Sequence, residues 1–223
     1  MKEKLRVGVL ASGTGTNLQT IIDASEKGII DVDVVTVISD NKDAFAIKRA
    51  KKHKIKTFFV NPEGIKIEKH EENIDMILTD NNVDLVVGAG YMRMLSPSFV
   101  KKWYGKLINI HPSLLPSFKG VNGQRDALEY GVKISGCTTH FIDYEMDHGP
   151  IILQAAVKVL SDDDRDKLAS RILKAEHQLL PRTLQLFAEG RLKIDGRKVK
   201  ILTGDSWNDK YEAIPDVLYP DGF

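Results

Sequence analysis

Asn109 and His111 stand two residues apart in the run LINIHPSLLPSFKG, residues 107–120. Leu107, Ile108 and Ile110 around them read as buried strand, and strand side chains alternate, so the amide and the imidazole leave the same face. An amide N–H can donate to an oxyanion as it develops. A protonated imidazole can do the same and also deliver a proton. Neither group is a nucleophile here. Ser113 lies in a proline-bounded turn and is expected to bond to backbone instead. An isolated histidine capping a strand end is the plain alternative reading of His111.

A free imidazole titrates near pH ~6.5 and is mostly neutral at neutral pH, so an acid catalyst needs a carboxylate beside it to hold its proton. The candidates are Asp143, Glu145 and Asp147 in DYEMDHGP, where Gly149 and Pro150 force a turn. Spacing does not choose among the three. A second chemical element is ASGTGTNLQTII, which follows an apolar run and opens a helical pattern. Gly13 and Gly15 let the backbone turn and expose N–H groups, and Thr14, Thr16 and Asn17 add side-chain donors at a helix N-terminus, which suits a phosphate. The loop lacks the third glycine of a dinucleotide fingerprint and the Gly-Lys-Ser/Thr of a Walker loop, so a phosphate monoester fits it better than a nucleotide. A tight turn with a helix cap remains the simpler alternative.

These groups need a frame that brings strand ends together. Apolar runs at residues 5–11, 32–39, 56–60, 84–90 and 107–111 alternate with helical patterns at 16–25, 44–52, 67–81 and 97–103. Strands of near-continuous Val, Ile and Leu separated by helices imply a doubly wound α/β fold with a mostly parallel sheet. Such folds place ligands beyond the carboxyl ends of the strands. The segments ISGCTTHFID and PIILQAAVKVL alternate more and suit an antiparallel pair or edge segment. The stretch from Ser161 to Leu192 reads as one long helix. Ser161 is the expected N-cap, three aspartates suit the start of its dipole, Gly190 suits its stop, and Pro181 is a candidate kink. Residues 193–223 read as a peripheral hairpin and arm on a single domain.

Composition narrows the class. The chain has 223 residues and a formal net charge of +1, so a nucleic-acid backbone is not the expected partner. The basic run KRAKKHKIK, residues 48–56, is expected to be the solvated face of a helix, over Ala46, Ile47 and Ala50. Cys137 is the single cysteine, which excludes an internal disulfide and is expected to be buried. The first ten residues, MKEKLRVGVL, carry charges and an apolar run too short for a signal h-region or a membrane span, and a soluble cytoplasmic protein is the expectation.

Taken together, NIHPSLLPSFKG, ASGTGTNLQTII, GYMRMLSP and DYEMDHGPII closely resemble the phosphoribosylglycinamide formyltransferases, folate-dependent enzymes of purine biosynthesis. The resemblance runs from about residue 5 to about residue 192. It implies a Rossmann-like formyltransferase fold and transfer of a formyl group from 10-formyltetrahydrofolate to the amine of glycinamide ribonucleotide. The co-substrate would be the folate, with no metal. The partners would be small molecules, with no nucleic acid or membrane, and a homodimer is left open.

Carried over residue by residue, Asn109 and His111 would stabilise the oxyanion, with His111 as proton donor and Asp147 the acid that sustains it. Gly15, Thr16 and Asn17 match the phosphate loop, and Glu176 matches a carboxylate that grips the ribose or glycinamide portion. Met92, Arg93, Met94 and Leu95, Asn109, and the turn Asp143, Tyr144, Glu145, Met146 and Asp147 match the folate site, with Lys66 a further candidate contact. The chain departs from many family members at Lys119, Asn122 and Asp126. His148 replaces a common glycine and is expected to face water. A formyltetrahydrofolate hydrolase and a non-catalytic folate- or phosphosugar-binding module are the alternatives. A methionyl-tRNA formyltransferase would require a basic C-terminal β-domain, and the tail is too short and not basic enough.

Overall fold

The computed structural model describes residues 3–204 and 217–218. The chain divides into two compact units, Met1–Asn109 and Ile110–Phe223. The first alternates strand and helix: β1 (Leu5–Leu10), α1 (Thr16–Glu26), β2 (Val32–Ser39), α2 (Phe45–Lys52), β3 (Lys56–Phe59), α3 (Ile67–Asp80), β4 (Leu85–Gly88), α4 (Pro97–Lys102) and β5 (Leu107–His111), the last crossing the unit boundary. Its strands run parallel in the order β3-β2-β1-β4-β5. Val7, Val9, Leu10, Val37, Ile38, Leu85, Val86 and Val87 are buried, as near-continuous apolar strands covered on both faces must be. The chain order reverses between β1 and β4, so the loops after these two strands diverge at the carboxyl edge and leave the crevice where this class of sheet binds ligands.

Each helix of this unit turns an apolar stripe inward. Leu18, Ile21 and Ile22 of α1 and Ile74 and Leu78 of α3 are buried at helical spacing. Ser96 caps α4 by accepting the Phe99 N–H, with Pro97 in the first turn where its missing donor costs nothing. Ala46, Ile47 and Ala50 of α2 are buried while its last turn carries Arg49, Lys51 and Lys52, so the basic run is the outer face and end of a helix.

The second unit begins with the last residues of β5 and continues with α5 (Gly123–Tyr130), β6 (Ile134–Phe141), β7 (Ile151–Lys158), α6 (Arg165–Ala188), β8 (Leu192–Asp195), β9 (Lys198–Ile201) and β10 (Val217–Leu218). β6 and β7 pair antiparallel, with a register irregularity between Thr139 and His140. β8 and β9 form an antiparallel hairpin, β9 meets β7 in parallel at Ile151 and Lys198, and β10 adds antiparallel to β7. The hairpin expected after residue 193 is therefore present, and most of the arm beyond it lies outside the described residues.

The long helix starts later than its aspartates suggest. Asp164, not Ser161, is the N-cap, its carboxylate accepting the Lys167 N–H at 2.8 Å. Asp163 turns back to accept the Leu160 N–H and both terminal nitrogens of Arg171, at 2.6 and 2.9 Å, so the preceding residues are held in a turn. Gly190 ends the helix at φ 70°, with its N–H on the Phe187 carbonyl and the Arg191 N–H on Leu186, a glycine-stopped C-terminus. The helix runs through Pro181 without ending. The short α5 has only Ala127 and Gly123 buried, too little periodicity to mark it in the sequence.

At Gly136 and Gly149 the missing Cβ makes room for a backbone carbonyl. A Cβ on Gly136 would lie 2.0 Å from the Ala155 carbonyl oxygen, and one on Gly149 would lie 1.8 Å from that of Phe141. Gly149→Ala is expected to destabilise the chain by about 2 kcal/mol or more in urea unfolding, because backbone must move. Gly13→Ala, with open space around it, should stay within about 0.5 kcal/mol of the parent.

Candidate active site

The first unit presents the glycine loop and the segment after β4 as one assembly. Gly15 has φ 69°, and a Cβ there would lie 2.7 Å from both the Cα and the Cβ of Ala46, so α2 packs against the loop only if residue 15 is glycine. Ala46 donates its N–H to the Gly13 carbonyl, and the Arg49 Nε donates to that of Thr14 at 2.9 Å. α1 then begins with no side-chain cap and no acidic residue in its first turn, leaving the positive end of its dipole toward an anion. Ser12 ties this loop to the other: its N–H donates to the Gly90 carbonyl, and its Oγ accepts the Met92 N–H at 2.9 Å. Met92, Arg93 and Met94 are exposed beside it and Leu95 is half-buried. Lys66 is exposed at the N-cap of α3.

Asn109 and His111 are alternate residues of β5, half-buried and buried respectively. Gly88 pairs with Asn109 in the neighbouring strand, and a Cβ on it would lie 2.9 Å from the Asn109 Oδ1, so the glycine makes room for the amide. In the second unit the acidic turn resolves the choice of carboxylate. Asp147 Oδ2 lies 3.3 Å from His111 Nδ1, with both side chains nearly buried. Oδ2 also accepts the Gly120 N–H at 2.8 Å. On the far side of the ring, Nε2 lies 2.9 Å from the Phe118 carbonyl oxygen. A carbonyl only accepts, so Nε2 carries a hydrogen and Nδ1 faces the carboxylate. Asp147 itself sits at φ 48°, a left-handed conformation that aspartate tolerates at a cost of about 1 kcal/mol.

A second imidazole completes this cluster. His140 is buried, donates from Nδ1 to the Phe141 carbonyl at 2.9 Å, and brings Nε2 to 3.8 Å from Asp147 Oδ1. Burial pushes its pKa below the ordinary histidine value, with partial compensation from the Phe141 bond and Asp147. Of the other two acids, Glu145 is exposed, and Asp143 shapes the turn by accepting the Glu145 N–H at 3.0 Å. Among the described residues no group of three or more His, Cys, Asp or Glu is placed to hold a metal ion, and no helix is long and apolar enough to cross a membrane.

Residues 5–184 match the formyl transferase family, across most of the chain and through every feature just described. The chain belongs to the formyl transferase family. It is 42% identical to the phosphoribosylglycinamide formyltransferase of Escherichia coli over 196 residues, covering 85% of this chain and 90% of that one. It is 43% identical to the human trifunctional purine biosynthetic protein adenosine-3 over 194 residues, covering 86% of this chain; this stretch is 19% of the length of that relative. The crystal structure of glycinamide ribonucleotide transformylase 1 from Symbiobacterium toebii superposes with a TM-score of 0.89 at 45% identity, covering 91% of this chain and 96% of that one.

Glu176 and His148 of this formyl transferase sit otherwise than their sequence context suggests. Glu176, which could pass for a surface charge on an amphipathic helix, is buried in α6 and raises the Cys137 thiol pKa further above the value that burial already imposes. Ser113 bonds to the Ser117 carbonyl at 2.6 Å, as its turn requires. Asn122 is the N-cap of α5 and Asp126 lies in its first turn, where a negative charge suits the dipole. Lys119 is exposed. His148 does not simply face water: its Nδ1 lies 2.7 Å from Asp143 Oδ2. His140, Arg49 and the Phe118 and Gly120 backbone groups are the contributors that sequence reasoning missed, the last two because backbone groups carry no residue signature. His140 did have a signal, a histidine at an otherwise apolar strand end.

The depressed pKa of His140 gives a pH effect of definite sign. As pH falls through about 6.5 the unfolded chain takes up a proton that the folded chain does not, so the unfolded state is favoured on acidification. Between pH 7.5 and 5.5 the thermal midpoint should therefore fall less for His140→Asn, which keeps a donor for the Phe141 carbonyl, than for the parent.

Proposed function

We propose that this chain transfers the formyl group of 10-formyltetrahydrofolate to the primary amine of glycinamide ribonucleotide, giving the formylated ribonucleotide and tetrahydrofolate. The observation that carries this reading is the His111–Asp147 pair, with Asn109 on the same strand face. The amine lone pair attacks the formyl carbon and the carbonyl electrons move to oxygen. The Asn109 amide and the His111 Nε2–H donate to that oxygen, which takes the place of the Phe118 carbonyl as acceptor. The amine nitrogen then loses a proton, N10 of the folate gains one by way of His111, and the C–N10 bond breaks. Asp147 holds the imidazole in the donor form and in register through the step.

In the same reading Gly15, Thr16 and Asn17 take the ribonucleotide phosphate on the N-terminus of α1. Glu176 grips the ribose or glycinamide portion. Met92, Arg93, Met94, Leu95 and the turn Asp143–Asp147 hold the pterin, with Lys66 a further folate contact. The family match spans both units, which supports treating the chain as one formyltransferase domain with residues 193–223 peripheral to it. Orientation and a preorganised oxyanion site suffice for direct amine attack, with no covalent enzyme intermediate.

The purified protein is expected to release deformylated folate, followed by absorbance, only when glycinamide ribonucleotide is present; release without it would establish a hydrolase, and none with it a binding module. His111→Ala should lower kcat by about 10² to 10³ with small changes in either KM, as removal of an oxyanion donor and acid does. A full-rate variant would overturn the assignment. A side chain at position 15 would meet the α2 backbone, so Thr16→Ala is the substitution that probes the phosphate loop.

A further inference from the structure

The hairpin of β8 and β9 lies beyond residues 5–184, the span matched to the family, yet its turn reaches the acidic turn of the site. Arg197, in that turn, places Nη1 2.8 Å from Nε2 and 3.1 Å from Nδ1 of His148. The other face of this contact is the 2.7 Å bond from His148 Nδ1 to Asp143 Oδ2. Asp143 in turn uses Oδ1 to accept the Glu145 N–H. An arginine nitrogen can only donate, and Nδ1 is committed to the carboxylate, so Nε2 is the acceptor the ring offers. The result is a polar relay, Arg197 to His148 to Asp143 to the backbone of Glu145, running from the hairpin into the turn that ends at Asp147.

We propose that Arg197, through His148, is a positioning residue for the turn Asp143–Asp147 and sets the affinity for the folate co-substrate. This rests on the reading that this turn holds the pterin. Three observations support it. The turn is exposed at Tyr144, Glu145 and Met146. Its closing residue, Asp147, is in a left-handed conformation that the surroundings must hold. The relay joins a side chain at 148 to a hairpin long enough to bring Arg197 to it. The hairpin thereby acquires a role in the site, beyond covering the edge of β7 at Ile151.

Steady-state kinetics on the full chain test this. Arg197→Ala should raise the KM for 10-formyltetrahydrofolate roughly fivefold, the worth of one hydrogen bond, with kcat and the KM for glycinamide ribonucleotide unchanged. Arg197→Lys, which keeps a donor, should restore most of that loss. His148→Ala should raise the folate KM by a similar factor, and the double variant should be no worse than either single one, because both break the same relay. Arg197 is exposed, so its variants should keep the parent's thermal midpoint. A parent-like folate KM in Arg197→Ala, equal rises in both KM values, or additive effects in the double variant would overturn the proposal. Failure of the unsubstituted protein to transfer formyl at all would instead overturn the functional reading on which it rests.

Discussion

The contact between His111 and Asp147 governs the arrangement of the second unit's site. Both side chains are nearly out of water, where an unpaired carboxylate would be costly, so Asp147 must have its partners wherever the turn places it. It has two: the His111 ring and the Gly120 N–H. Each comes from a different segment, and each restricts where the carboxylate can go. The left-handed backbone at Asp147 and the glycine at 149, whose missing Cβ leaves room for the Phe141 carbonyl, are the local consequences of forcing the turn into that space.

The Phe118 carbonyl gives the imidazole a second restraint of a different kind. It accepts the Nε2–H, so the ring is held between this carbonyl on one side and the Asp147 carboxylate on the other. Phe118 itself has φ 52°, which a bulky residue rarely adopts.

In the first unit the same logic is carried by glycines and by Ser12. Close packing of α2 on the glycine loop leaves the first turn of α1 uncapped, and Ser12 links that loop to the segment after β4. Gly88 does for Asn109 what Gly15 does for the loop, removing a Cβ so that a functional group fits. None of these contacts stores much energy by itself. Their effect is to reduce the number of conformations the loops can take, which is what orientation at a site requires.

The five strands of the first unit, their parallel arrangement, the antiparallel β6 and β7 and the shared face of Asn109 and His111 were legible because they follow from period-two and period-3.6 patterns that any chain obeys locally. The glycine loop and the turn with three acids were legible as turns. Which acid meets His111, whether Glu176 is buried, where α6 is capped, and that His140 and His148 join the polar network were decided only in the folded molecule. Charge and polarity are the same for Asp143, Glu145 and Asp147 on paper. They part company once β6, β7 and the loop after β5 come together, because burial and backbone donors distant in sequence set where a carboxylate can rest.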